Sequence, residues 1–479
     1  MSRVNRLSAV LTALFVLICF TTQPFPAEAA SMQYRRNIRV VVDGAEVCSI
    51  QALDDDYANN LYISLKGLAI ALSGTSKAYS VVLDGNGIHM TTGRNVSGTP
   101  ALWGKNALVS AVRMNLKRTP IFFDEAPRRY FSFVMDNGAK EQDAYLMPVQ
   151  LGMLLNMKIT VGKDELVIDT NTPFAVTEED LNASGFAQDV NSLLIGDGTT
   201  GEIYYQVDMD EEVPIASTTK LMTYFVTMDA VAAGECSLDD SVTISVGAAR
   251  LSHGSDGVIS LSAGSEIPLS ELMKGMLLPS SNECALAIAE HVAGSEEAFV
   301  ERMNRKAKEL ELEHAVFYNC HGLPVFSGQL FAGKMQNHMT AEEMFCLCSR
   351  LLETYPEITE ITEAKTLHMS GLNIDLHNSN SLLYNMEEVK GLKTGTTNKA
   401  GACLVTFLPV EKDGITHNLF CILYGAEGEA ERMLLSEISA RYGKQCLLEG
   451  FHDDTKEQEQ RIPDDPEQVI QRIIRMNCK

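Results

Sequence analysis

Between residues 31 and 170 the apolar positions come in short runs broken by Gly, Asp and Asn, a pattern of strands and tight turns rather than long helices. Arg39-Val40-Val41-Val42 runs into Asp43-Gly44, and Val81-Val82-Leu83 runs into Asp84-Gly85-Asn86-Gly87 in the same way. The pattern also repeats at longer range. Tyr62-Ile63-Ser64-Leu65 followed by Leu68-Ala69-Ile70-Ala71-Leu72 matches Tyr145-Leu146-Met147-Pro148 followed by Leu151-Gly152-Met153-Leu154-Leu155. Each copy continues into a hairpin-like stretch, ending Ile88-His89-Met90 in one and Leu166-Val167-Ile168 in the other. A strand, a short helix and a hairpin used twice is the expected architecture.

Asn171 to Asn182 is polar, with Thr, Pro, Asp and Glu, and reads as a linker. The pattern then changes. Ser192-Leu193-Leu194-Ile195, the turn over 196–201 and Ile203-Tyr204-Tyr205 predict a hairpin. Ala216 to Ala233 predicts a helix with apolar residues on more than one side, hence a buried one. Residues 242–369 are mainly helical in pattern. Leu392 opens a strand, and Ala402–Leu408 and Asn418–Tyr424 predict two more, joined by Glu411-Lys412-Asp413-Gly414. Glu429 to Leu448 closes as a helix. Strands, helices, strands and a final helix predict an α+β domain with a helical insertion over 187–450.

Composition narrows the classes of function. Of 479 residues 45% are hydrophobic and 21% charged, which is globular. A formal net charge of −24 argues against nucleic acid as a partner, because phosphate binding needs a basic face. The charge also argues against broad attraction to anionic membranes, and solubility is its plain consequence. Residues 1–29 read as a signal peptide: Arg3 and Arg6, the run Leu11–Phe20, then Ala27-Glu28-Ala29 for cleavage before Ala30. The apolar run is short for a membrane span, so cleavage is favoured over an uncleaved anchor. The mature protein is therefore expected outside the cytoplasmic membrane, secreted or associated with cell wall or membrane. The eleven cysteines show no disulfide framework, and Cys284, Cys403 and Cys421 in apolar runs read as small core residues. Neither Cys346 and Cys348 nor His253, His291 and His321 have ligand spacing, and no metal or other cofactor is expected.

Three short motifs carry chemistry. In Ser217-Thr218-Thr219-Lys220, residues three apart share a helix face, so the Lys220 amine comes beside the Ser217 hydroxyl near a helix start. Ser280-Ser281-Asn282 lies between Pro279 and a helical run from Glu283 to Val292. Ser280 can relay a proton and Asn282 can hydrogen-bond there, although helix N-caps alone often use these residues. Lys393-Thr394-Gly395-Thr396 on a predicted strand offers a cation for a carboxylate, and Gly395 allows close approach to the strand.

Each motif alone is weak. Together, in this order and in the contexts of helix start, loop and strand, they form the set of penicillin-binding proteins and class A β-lactamases. Ile215-Ala216-Ser217-Thr218-Thr219-Lys220-Leu221-Met222-Thr223, Asn378-Ser379-Asn380-Ser381-Leu382-Leu383 and Gly391-Leu392-Lys393-Thr394-Gly395-Thr396 resemble the low-molecular-mass D-alanyl-D-alanine carboxypeptidases. So do Phe317-Tyr318-Asn319 with Gly322-Leu323, and Thr340-Ala341-Glu342-Glu343-Met344. This resemblance implies a β-lactamase/D,D-peptidase-like fold, an antiparallel sheet flanked by helices plus a helical subdomain. It implies peptidoglycan stem peptides as substrates and β-lactams as inhibitors. Ser217, Lys220 and Ser280 would be catalytic, and Asn282, Lys393, Thr394, Gly395 and Thr396 would bind substrate. The backbone N–H groups of Ser217 and Thr396 would form an oxyanion hole. Burial and the neighbouring cation Lys393 are both expected to lower the Lys220 pKa. Residues 31–170 are similar, more weakly, to the N-terminal domains of copper amine oxidases.

A class A β-lactamase is the nearest rival, but it would need a Glu-x-x-Leu-Asn stretch between Asn282 and Lys393, which is absent, and Ser281 replaces the Asp of Ser-Asp-Asn. A D,D-endopeptidase could use the same site, and a catalytically silent wall-binding protein is the non-enzymatic alternative. In the tail, 451–479, Val469, Ile470, Ile473 and Ile474 form a short apolar face with Arg472 and Arg475 nearby. The face is similar to an amphipathic membrane contact, whereas its shortness and Asp464-Asp465 favour a frayed or packed helix.

Overall fold

The computed structural model describes residues 31–55, 61–104, 111–114, 120–130, 132–136, 141–176, 181, 190–326 and 334–450. The expected signal peptide and C-terminal helix lie outside these described residues. The chain forms two compact units, one within 1–126 and 130–174, the other within 127–129 and 175–479.

In the first unit the strand–helix–hairpin sequence occurs twice. Leu61–Ser64, Leu65–Ala71 and the hairpin Tyr79–Asp84/Gly87–Thr92 form one copy; Gln142–Leu146, Pro148–Leu155 and Lys158–Val161/Glu165–Asp169 form the other. The leading strands of the two copies pair antiparallel, Tyr145 opposite Ser64. In each copy the second hairpin strand pairs parallel with another segment, Ile88–Met90 with Ile121–Phe123 and Glu165–Ile168 with Arg39–Val42. Both helices start on local signals. Ser64 caps the Gly67 N–H, and in the other copy the Gln150 side-chain oxygen accepts the Met147 N–H at 3.0 Å ahead of Pro148. The core of this unit gathers Leu53, Tyr62, Trp103, Phe133 and Tyr145.

The second unit is the α+β domain. Strands β1 (Ser192–Asp197), β2 (Glu202–Val207), β3 (Gly391–Thr397), β4 (Gly401–Lys412) and β5 (Ile415–Ala426) form one sheet in the order β2-β1-β5-β4-β3, antiparallel throughout. Central strand β1 is buried at every residue, and β3 is an edge. β4 and β5 extend further than their apolar runs, because the exposed ends carry polar residues; Asp413 and Gly414, both at positive φ, close them in a two-residue turn. The terminal helix Glu429–Glu449 packs on the sheet through Gly443, where a Cβ would lie 2.7 Å from Ile195 Cγ2. Helix Ala341–Thr354 covers the sheet too: Phe345 meets Phe420 edge-on at 5.7 Å. Thr340 and Glu343 form a capping box at its start.

The helical subdomain is built around the buried helix Lys220–Ala232 and helix Asn282–Ala293, with Leu269–Leu277 and Glu296–Glu309 beside them. Ser281 accepts the Cys284 N–H at the head of the second of these, and Gly294 ends it at φ +83°. The helix expected from Ala216 begins instead as a 3₁₀ turn, Ala216–Thr219, and becomes α-helical at Lys220. Tertiary contacts outweigh the helical pattern here. Ala216 sits at φ +47°, Thr218 Oγ1 donates back to the Ile215 carbonyl at 2.6 Å, and the Asn337 carbonyl takes the Ile215 N–H.

Candidate functional site

Ser217 is half-buried in the 3₁₀ turn, and Lys220 one turn later is fully buried. Lys220 Nζ donates to Ser217 Oγ at 3.0 Å, to Asn282 Oδ1 at 2.8 Å and to the His321 carbonyl at 2.8 Å. These partners differ chemically. Asn282 Oδ1 and a carbonyl oxygen can only accept, whereas the Ser217 hydroxyl can also donate. A neutral Lys220 amine therefore spends its two N–H bonds on Asn282 and His321 and turns its lone pair to the Ser217 hydroxyl. Burial makes that form accessible by pushing Lys220 down from 10.5 to about 7, against the opposing pull of Cys320, Glu283 and Cys284.

The contribution expected from Lys393 falls elsewhere. Burial drives Lys393 well below its ordinary range, and Lys220 and Arg432 push it further. Burial, not the second lysine, lowers Lys220.

Of the Ser280-Ser281-Asn282 motif, Ser281 does the capping, which leaves Ser280 and Asn282 for other work. Ser280 is half-buried at φ +69°, a strained position for a residue with a Cβ. Asn282 was expected to hold substrate backbone. Its carboxamide is engaged at both ends within the protein, by Lys220 at the oxygen and by the Asp256 carbonyl, which Nδ2 reaches at 2.9 Å. The carboxamide thus links Lys220 to the loop at Asp256, and its second N–H is not used by either of these bonds.

Edge strand β3 carries Lys393, Thr394, Gly395 and Thr396 against Ser217. A Cβ at Gly395 would lie 2.9 Å from Ser217 N and 3.0 Å from Ala216 Cβ, so only glycine lets the strand come this close. Lys393 Nζ donates to the Thr394 carbonyl at 3.0 Å. The Thr394 and Ser379 hydroxyls share a hydrogen bond of 2.6 Å, and Ser379 is tied to the Leu278 carbonyl by its N–H at 3.0 Å. The structure thus brings Asn282 of the second motif and Gly395 of the third to Lys220 and Ser217 of the first.

Several partners had no motif to announce them. His321 has no ligand spacing in sequence, yet its carbonyl holds Lys220, and burial drops its imidazole to about 3, so the ring is neutral. Its turn is packed so tightly that a Cβ on Gly322 would sit 2.0 Å from the Ala216 carbonyl oxygen. Arg432, from the terminal helix, donates to Thr396 Oγ1 at 3.1 Å. A backbone carbonyl and an arginine contributed from a distant helix leave no local spacing to find.

Part of the chain is similar to known proteins. Residues 178–412 match the S11 peptidase family, described as D-alanyl-D-alanine carboxypeptidase. The D-alanyl-D-alanine carboxypeptidase DacF of Bacillus subtilis is 31% identical over 272 residues, 56% of this chain and 65% of that protein. The D-alanyl-D-alanine carboxypeptidase DacC of Escherichia coli is 32% identical over 251 residues, 52% of this chain and 59% of that protein. The chain thus spans about three-fifths of the length of these curated relatives. A peptidoglycan synthesis regulatory factor, PBP3 of Streptococcus pneumoniae, superposes with a TM-score of 0.50 and 27% identity over 54% of this chain and 74% of that one. Residues 178–412, which hold Ser217, Lys220, Ser280, Asn282 and Lys393, are thus the part of the chain that is similar to the S11 peptidases, the D-alanyl-D-alanine carboxypeptidase family.

Proposed function

We propose that this protein is a serine-type D-Ala-D-Ala carboxypeptidase that trims peptidoglycan stem pentapeptides through an acyl-enzyme on Ser217. The buried Lys220 amine carries this reading: its two other partners are pure acceptors, and its lone pair faces the one hydroxyl that can yield a proton. Ser217 Oγ attacks the carbonyl carbon of the penultimate D-Ala while its proton passes to Lys220 Nζ. The carbonyl oxygen becomes an oxyanion, for which the N–H groups of Ser217 and Thr396 are the assigned donors. The close seat of Gly395 against Ser217 N supports that assignment. As the intermediate collapses, the C–N bond breaks, and the proton goes to the leaving amine with Ser280 as relay. Terminal D-Ala leaves, and water then cleaves the acyl ester.

Lys393, Thr394 and Thr396, with Arg432 behind Thr396, are assigned to the terminal carboxylate. An anion there favours the protonated form of Lys393 that burial opposes. Penicillins, as mimics of the acyl-D-Ala-D-Ala unit, are assigned the same serine. The proposed location is outside the cytoplasmic membrane, in the cell wall or on the membrane surface. The sequence pattern of residues 1–29 supports export, and among the described residues no helix is long and apolar enough to cross a membrane.

Product analysis tests the reaction. Native protein incubated with a purified pentapeptide releases free D-Ala, and Ser217→Ala does not. Release from cross-linked muropeptides alone, with pentapeptide left intact, would make the protein an endopeptidase instead.

A further inference from the structure

Lys220 is held in part by the Asn282 carboxamide, and that carboxamide is held in turn by a loop. Asn282 Nδ2 donates to the Asp256 carbonyl, which is why Oδ1 and not the amide nitrogen faces Lys220. The loop is fastened by the next residue in the chain. Glu283 Oε1 accepts the Val258 N–H at 2.8 Å and also the Ile259 N–H. Here the chain passes from Val258, 48% exposed, to Ile259, 4% exposed, so this clamp sets where the loop enters the core. Glu283 itself is 0% exposed, and its Oε2 is buried with no hydrogen-bond partner among the described residues. Burying a carboxylate is costly unless its charge or its bonds are used. A glutamate needed only for the first turn of a helix could have faced solvent.

We propose that Glu283 is a positioning residue for acylation: it fixes the 256–259 loop, the loop orients the Asn282 carboxamide, and its charge steadies the Lys220 site. This inference rests on Ser217 being the acylated residue. The groups that bear on Lys220 are Glu283, Cys284 and Cys320, which favour its protonated form, with His321 and Lys393 also facing it. Among these Glu283 is the one carboxylate, so its removal lowers the proton affinity of Lys220 further.

The test is the acylation rate of the full chain by a fluorescent penicillin across pH, with thermal melting alongside. Acylation needs neutral Lys220 and rises with pH through its titration. Glu283→Gln keeps an oxygen for the loop and removes the charge, so the acidic limb moves down by about one pH unit. Glu283→Ala frees the loop, and acylation falls by about 10- to 100-fold across the pH range. Gly257→Ala moves the same loop without touching Glu283, because its Cβ would lie 2.1 Å from the Ser252 carbonyl oxygen; it reproduces the loss even where Glu283→Ala fails to fold. A native protein that takes no label removes the assignment of Ser217, and this inference falls with it. If native protein is labelled, the inference alone is overturned by a Glu283→Gln profile superimposed on the native one, or by a well-folded Gly257→Ala labelled at the native rate.

Discussion

At the scale of single residues, the same burial that fits Lys220 for its proposed role as a base also costs stability. The folded value of about 7 lies below the ordinary 10.5, so between those pH values the unfolded chain holds a proton that the folded one has shed. Stability therefore rises with pH through that window, and at or below pH 7 the native protein bears the full cost, roughly 5 kcal/mol at most before its hydrogen bonds are counted. Lys220→Met removes the cost together with the activity. Its stability relative to native protein, read from denaturant unfolding, is greatest at or below pH 7 and declines as pH climbs toward 10. A difference independent of pH would mean that Lys220 is not a depressed base. The pairing of Ser217 with Lys220 was legible in sequence because a spacing of three puts both on one face. The third hydrogen-bond partner of Lys220 was not legible, since a carbonyl looks the same at every residue and only the fold brings that of His321 to the amine.

At the scale of elements, edge strand β3 and the 3₁₀ turn make one interface whose spacing is set by Gly395. Gly395→Ala would place a methyl group 2.9 Å from Ser217 N and 3.2 Å from Thr218 N, and these are backbone atoms that cannot rotate away. Strand and Ser217 must separate, and penicillin acylation falls by about 10-fold or more, while melting changes far less than acylation does. Acylation at the native rate would show that the strand does not serve the reaction. The sequence pattern placed this strand, the hairpin before Ser217 and the terminal helix within a few residues. It misplaced the start of the helix at Ala216, because the apolar pattern continues unbroken while the Asn337 carbonyl and the positive φ of Ala216 impose a tighter turn. It also shortened β4 and β5, whose outer ends alternate with exposed polar residues such as Glu411 and Thr416.

At the scale of the whole molecule, every residue assigned to acyl transfer belongs to one of the two units. The first unit is a separately built repeat whose side chains enter no step of the proposed reaction. Its internal duplication was visible in sequence because the strand, helix and hairpin recur with matching apolar spacing. The resemblance to D-alanyl-D-alanine carboxypeptidases was legible because the motifs of Ser217, Asn282 and Lys393 come in a fixed order, at a helix start, a loop and a strand, with matching text around them. The most direct measurement of the central claim is the mass of the full-length protein after treatment with penicillin, followed by peptide mapping. Native protein gains one penicillin on the peptide containing Ser217, and Ser217→Ala gains none. Equal labelling of Ser217→Ala, or a label mapped to another residue, would contradict the account.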